Sequence, residues 1–166
     1  MTALFFARRP LTAIVLPIEN RQQSDVGTCW ASCVRQAIAF LTGRAISERQ
    51  LCATARIRPD QGATVRDMAK LLERLGPAHC LENNNPSPVL LTEYLAQRRP
   101  LIVSLTVGKG FVTHAVLLRG MIKDAGAWHA VVNDPNLADG FSMFVPFARL
   151  HAAWCSSLVI APAQRP

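Results

Sequence analysis

The sequence is short of most features that would place it quickly. Of its 18 basic residues only three are Lys, and no basic run exceeds a pair, Arg8-Arg9 or Arg98-Arg99. Nucleic-acid binding draws on a concentrated basic stripe, often with interleaved aromatics, and aromatics are only 7% of the chain. The net charge of +7 therefore reads as a solvated basic surface that an acidic protein surface can meet. No apolar run approaches the roughly 18–20 residues of a membrane-spanning helix. The longest early stretch, Leu11 to Ile18, contains Pro17 and is expected to be a buried strand. Arg8 and Arg9 ahead of it suggest an export signal, but the stretch is short and no small-residue cleavage site follows. Neither nucleic acid nor membrane is expected as a partner, and the N-terminus reads as mature protein.

Paired cysteines are missing too. The five cysteines, at 29, 33, 52, 80 and 155, form no C-x-x-C pair and fit neither a disulfide framework nor a structural zinc site. Cys29 with Cys33, or His79 with Cys80, lacks the paired spacing that zinc favours, so no metal and no cofactor is expected. Repeats, low-complexity tracts and clear linkers are likewise absent. At 166 residues the chain fits one domain, 1–166, and with half its residues apolar it buries a core readily.

What is present is a change of periodicity. Four helices are expected first: Cys29–Leu41, closed by Gly43; Ser47–Ala55, opened by a capping-box pattern with Gln50; Val65–Leu75, preceded by the same pattern in Thr64 and Asp67; and Val89–Arg98, stopped by Pro100. Asn83–Pro88 reads as a surface loop. After Pro100 come strand-length runs at Leu101–Val107, Ala115–Ile122, Trp128–Asn133 and Leu158–Ile160, with another at Phe141–Val145. Lys123–Gly126 reads as a hairpin turn, and Pro146 opens a turn or short helix. Helices followed by an antiparallel sheet make an α+β fold.

The segment Gln23-Ser24-Asp25-Val26-Gly27-Thr28-Cys29-Trp30 delivers a cysteine to the first turn of a helix. Unpaired N–H groups and the helix dipole favour negative charge there, and thiolate is the nucleophilic form. Cys33, Ala37, Phe40 and Leu41 follow Cys29 at helical spacing, so Cys33 reads as core. His114 opens the strand His-Ala-Val-Leu-Leu-Arg-Gly after the Gly108-Lys109-Gly110 loop, and Asp134 ends the next in Asn133-Asp134-Pro135. A hairpin brings the two to one end, where a carboxylate orients an imidazole. Alone, Asp134 reads more readily as the cap of its Asp-Pro turn. His129 reads as a strand residue pointing away or a cleft wall, His79 and His151 as solvated residues near helix ends, and Trp30 and Trp154 as core or cleft wall.

Gln-x5-Cys-Trp-Ala-Ser, then His-Ala-Val-Leu-Leu-Arg-Gly, then Asn-Asp-Pro resemble the papain-like cysteine peptidase superfamily in order and spacing from about residue 18 to 160. The likeness is greatest to its compact bacterial branch, which includes effector proteases of plant pathogens. Trp30 stands where bacteriocin-leader peptidases of the same superfamily place Gly. The resemblance implies a papain-like fold, an N-terminal helical half with the nucleophile helix packed on a C-terminal sheet. It implies Cys29 as nucleophile, His114 as base, Asp134 as its orienter and Gln23, rather than Gln22, in the oxyanion hole. It further implies a protein or peptide substrate, and a bacterial effector or toxin that is cytoplasmic or delivered by specialised secretion. Larger papain relatives carry an inhibitory pro-segment and many disulfides, for which this chain has no room. It is expected to be made active, or restrained by a protein partner or narrow specificity. Two alternatives keep the same residues: a deamidase or transglutaminase-like acyl transferase, and a catalytically silent peptide-binding module.

Overall fold

A computed structural model describes residues 12–76, 79–82, 86–108 and 113–162, with backbone alone for 79–82. Arg8, Arg9, Leu11, residues 83–85 and the Lys109-Gly110 part of the glycine loop lie outside the described residues.

The helices form where their end signals stand. Helix α1 is Cys29–Thr42, and Gly43 closes it in the left-handed conformation at φ 71°. Helices α2 (Glu48–Ala55) and α3 (Val65–Leu75) begin with complete capping boxes, Ser47 with Gln50 and Thr64 with Asp67. Helix α4 is Pro88–Ala96, capped by Ser87. It starts one residue before the expected Val89 and frays before Arg98, whose φ of 60° is not helical. A short α5, Phe147–Ala152, follows Pro146.

Among the described residues all strand pairs are antiparallel and belong to one sheet, in the order β2-β7-β3-β4-β5-β6, with β1 paired to β4. The strands are β1 Ala13–Val15, β2 His79–Glu82, β3 Leu101–Thr106, β4 Thr113–Asp124, β5 Ala127–Asn133, β6 Met143–Pro146 and β7 Trp154–Ala161. Several differ from the sequence reading. The Leu11–Ile18 stretch yields only three strand residues, none of them buried, because Pro17 ends the pairing; the buried side chains are Leu16 and Ile18, just beyond. His79 lies in strand β2, not at a helix end. Strand β7 begins at Trp154, four residues before the expected Leu158, since Ser156 and Ser157 are paired across to β3 despite being polar. The turn between β4 and β5 is only Ala125-Gly126, both at positive φ.

The core lies where helices meet the central strands. Leu101–Val103 on β3 and Ala115–Leu118 on β4 are buried without alternation, the mark of strands covered on both faces. Helix α1 packs on β4 and β3, α4 on β4 and β1, and α3 on β2 and β7. The face α1 buries is centred on Trp30, Val34, Ala37 and Ile38; Cys33 is in the core as expected, whereas Phe40 and Leu41 are only half-buried. Among the described residues no helix is long and apolar enough to cross a membrane.

Candidate active site

Cys29 is the first residue of α1 and is partly exposed. Its preceding residue, Thr28, does not cap the helix with its side chain. The Thr28 hydroxyl turns back into the loop instead, donating to the Asp25 carbonyl at 2.9 Å and accepting from the Asp25 N–H at 3.1 Å. No acidic residue lies in the first turn. The leading N–H groups of α1 therefore stay available to a negative charge at the helix mouth.

Strand β4 supplies the sulfur's other neighbours. His114, its second residue, hydrogen-bonds to the Cys29 thiol, and so does the N–H of Ala115, the next residue. His114 Nε2 lies 2.7 Å from Asp134 Oδ1, so Nδ1 is the ring nitrogen left to face the sulfur. Asp134 follows β5 directly and also accepts from the Asn136 N–H at 2.9 Å. One carboxylate oxygen thus meets both the imidazole and the backbone of its own turn.

These contacts shift the titration of all three groups. Burial is the largest influence on His114 and lowers its pKa, but hydrogen bonds and charge from Asp134 and Cys29 together raise it from 6.5 to about 9. Burial likewise pushes the Cys29 thiol up, yet His114, the Ala115 N–H and the Trp30 N–H bring it below its ordinary value. Asp134 is raised by burial and lowered more by His114 and the Asn136 N–H, so it stays ionised. The thiol is lowered, the imidazole raised and the carboxylate lowered, so each shift runs towards a thiolate–imidazolium pair backed by a carboxylate. Cys33, four residues on, is the opposite case: burial pushes its thiol well up.

Gln23 is tied into the loop before the cysteine. Its Nε2 donates to the carbonyls of Asp25, at 2.9 Å, and Val26, at 3.2 Å, and its backbone N–H donates to the Pro135 carbonyl at 2.9 Å. Its Oε1 is buried and has no partner among the described residues. The flanking backbone is held as firmly. The Gln22 N–H donates to Asp139 at 2.7 Å and its carbonyl accepts from Arg35 at 2.7 Å, while the buried Glu48 accepts from both the N–H and the hydroxyl of Ser24.

The structure thus brings Cys29, His114 and Asp134 together, with Gln23 in the adjoining loop. The rejected histidines stand apart. His129 stacks on Phe144 at 4.5 Å, towards the turn end of the β4–β5 hairpin; His151 lies on α5 and His79 on the outer strand β2. Trp30 is core, with Nε1 donating to the Gln61 carbonyl at 3.2 Å. Trp154 is a half-buried neighbour of Leu105, which itself pairs with His114. Sequence reasoning missed Asn20, fully buried, whose Nδ2 donates to the carbonyls of Asp134, Leu137 and Ala138 and so braces the turn that carries the carboxylate. Nothing local in the sequence marks it.

The sequence profile of the family described as papain-like cysteine protease AvrRpt2 matches residues 12–149. No curated protein resembles the chain closely enough in sequence to count as a relative. Among solved structures, the peptidase domain of Streptococcus ComA, a bifunctional ABC transporter, superposes with a TM-score of 0.68 at 17% identity, covering 87% of this chain and 98% of that one. A C39-like peptidase from Bacillus anthracis gives 0.71 at 12% identity, covering 92% and 99%. Procathepsin L 3 of Tenebrio molitor gives 0.64 at 12% identity, covering 97% and 73%. At these identities the likeness is one of fold, and that fold is papain-like. The chain belongs to the family of papain-like cysteine protease AvrRpt2 and is a cysteine peptidase.

Proposed function

We propose that Cys29, His114 and Asp134 form a catalytic triad that hydrolyses peptide bonds of a protein substrate, with Gln23 and the Cys29 N–H as oxyanion donors. The observation that supports this best is the two-sided engagement of one imidazole, by the Cys29 thiol and by Asp134 at 2.7 Å. The thiolate attacks the scissile carbonyl carbon, and the electron pair moves onto oxygen. His114, as imidazolium, protonates the departing amine and leaves a thioester on Cys29. The neutral ring then takes a proton from water, whose oxygen attacks the thioester. Collapse releases the acid and restores the thiolate and imidazolium. Asp134 holds the ring and stabilises its charge without itself taking a proton. For Gln23 to serve the oxyanion, the longer of its two loop contacts, to Val26 at 3.2 Å, is the one exchanged.

A role as a bacterial effector acting on a protein of another cell follows from the resemblance to plant-pathogen proteases. The test of both is comparison of protein N-termini in lysates exposed to wild type and to Cys29→Ala. New termini with wild type alone support the peptidase reading and name the substrate. If intact substrate instead gains the mass of an amide-to-acid exchange, the same residues serve a deamidase. If neither change occurs and Cys29 does not react with alkylating reagents, the silent module stands.

A further inference from the structure

A buried polar bridge joins the two halves of the site from behind. Asn133, the last residue of β5 and the one preceding Asp134, is fully buried. Its Nδ2 donates to Gln36 Oε1 at 2.8 Å and to the Ile18 carbonyl at 3.0 Å. Its Oδ1 accepts from Arg119 Nε at 3.0 Å and from the Ser142 hydroxyl at 2.6 Å. Every hydrogen-bonding capacity of one amide is thus filled by a different segment of the chain: α1, β4 and the loops holding Ile18 and Ser142. Gln36 lies on α1, 4% exposed. Its Nε2 donates to Ser32 Oγ at 3.2 Å and to the Arg21 carbonyl at 3.4 Å, and Ser32 Oγ donates to the same carbonyl at 2.6 Å.

Apolar packing alone does not account for this. Helix α1 already buries Trp30, Val34, Ala37 and Ile38, and an apolar pair in place of Asn133 and Gln36 would be about as stable as a satisfied polar one. Apolar contact is non-directional, however, and leaves the helix free to slide or turn slightly on the sheet. A hydrogen bond of fixed length between helix and strand removes that freedom. The helix carries the sulfur, and the strand end carries the carboxylate that orients the imidazole. A displacement of about 1 Å between such groups costs on the order of 10²-fold in rate.

We propose that Asn133 and Gln36 are positioning residues, whose mutual hydrogen bond sets the seat of α1 on the sheet and thereby the spacing between the Cys29 sulfur and the His114 ring. The inference rests on the triad reading above and extends it to residues that touch no substrate.

The test uses the full chain and three readouts: the pH profile of Cys29 alkylation by iodoacetamide, read by peptide mass mapping; kcat and KM on a peptide spanning a cleavage site found as above; and the melting temperature. Gln36→Met keeps side-chain length and removes both the acceptor for Asn133 and the donor to Ser32 and Arg21. Gln36→Met is expected to move the alkylation midpoint up by about one pH unit. It should lower kcat by about tenfold or more, with KM nearly unchanged. A folded Gln36→Met with the wild-type alkylation profile and kcat, whatever its melting temperature, overturns the proposal. Where Gln36→Met does not fold, Ser142→Ala decides: it withdraws one bond from Asn133, together with the bonds Arg119 makes to the same hydroxyl, and leaves α1 untouched. A smaller shift in the same direction supports the proposal, and a wild-type profile overturns it. Wild type separates this from the triad reading. If its own Cys29 alkylates as an ordinary thiol, the triad reading fails; if its profile is depressed and the variants share it, only the present inference fails.

Discussion

His114 and Asp134 meet across the β4–β5 hairpin, Nε2 to Oδ1 at 2.7 Å, although they are 20 residues apart in the chain. The pairing holds a proton on the imidazole: His114 titrates at about 9 rather than 6.5, while the Cys29 thiol is lowered. The reactive pair exists only above the thiol's pKa and below the imidazole's. Activity is therefore expected to rise with pH through an acid limb below the ordinary thiol range and to fall through an alkaline limb near 9. Asp134→Asn keeps an oxygen facing the ring but removes its charge. The alkaline limb of kcat/KM should move to lower pH in that variant, and an unmoved limb would mean that another group sets it.

The cysteines offer a contrast within one chain. Cys29 is partly exposed with a lowered pKa, whereas Cys33 is buried and raised well above its ordinary value. Limiting iodoacetamide near pH 6.5 should label Cys29 well ahead of Cys33 and Cys52, whose thiol is also raised, chiefly by burial. Peptide mapping checks this. Labelling of Cys33 at a comparable rate would contradict the geometry of the helix mouth.

Gln23 is the site residue whose role depends on a change of partners. Its amide bonds the Asp25 and Val26 carbonyls, and its backbone is anchored to Pro135. Gln23→Ala leaves that backbone anchor intact. Its kcat should fall by about 10²–10³, the usual cost of one oxyanion donor, with little change in KM. Alkylation of Cys29 needs no oxyanion hole and should stay near the wild-type rate. If both fall together, Gln23 shapes the loop instead.

How far the sequence carried these conclusions depended on distance along the chain. Ser47 with Gln50 and Thr64 with Asp67 act within a single turn, and both capping boxes form as their spacing predicts. Cys29 at the start of α1 was legible for the same reason. Asn20, Asn133 and Gln36 were not, because their partners lie about a hundred residues away: 114 for Asn20 with Asp134, 97 for Asn133 with Gln36. The first half of β7 was hidden by Ser156 and Ser157, which sit inside the sheet although Ser157 is fully buried. Strand β2 has only four residues, His79–Glu82, too few to show a period.

Gly27 gives the sharpest test of how the cysteine loop is held. A Cβ at this position would stand 2.4 Å from the Pro59 carbonyl oxygen, 2.6 Å from the Asp60 carbonyl carbon and 2.7 Å from the Gln61 nitrogen. All three are backbone atoms, so no side chain can swing aside. The opposing loop is itself held, by the Gln61 N–H to the Arg58 carbonyl at 2.9 Å and by Trp30 Nε1 to the Gln61 carbonyl at 3.2 Å. Gly27→Ala must part the two loops, at an overpacking cost of about 1–3 kcal/mol. The strain falls two residues before the nucleophile, so kcat should drop as well as the melting temperature. Ser47→Ala is the control: it removes a helix cap worth about 1 kcal/mol and should lower the melting temperature with kcat unchanged. A Gly27→Ala variant that melts earlier but turns over at the wild-type rate would show that this contact stabilises the fold without shaping the site.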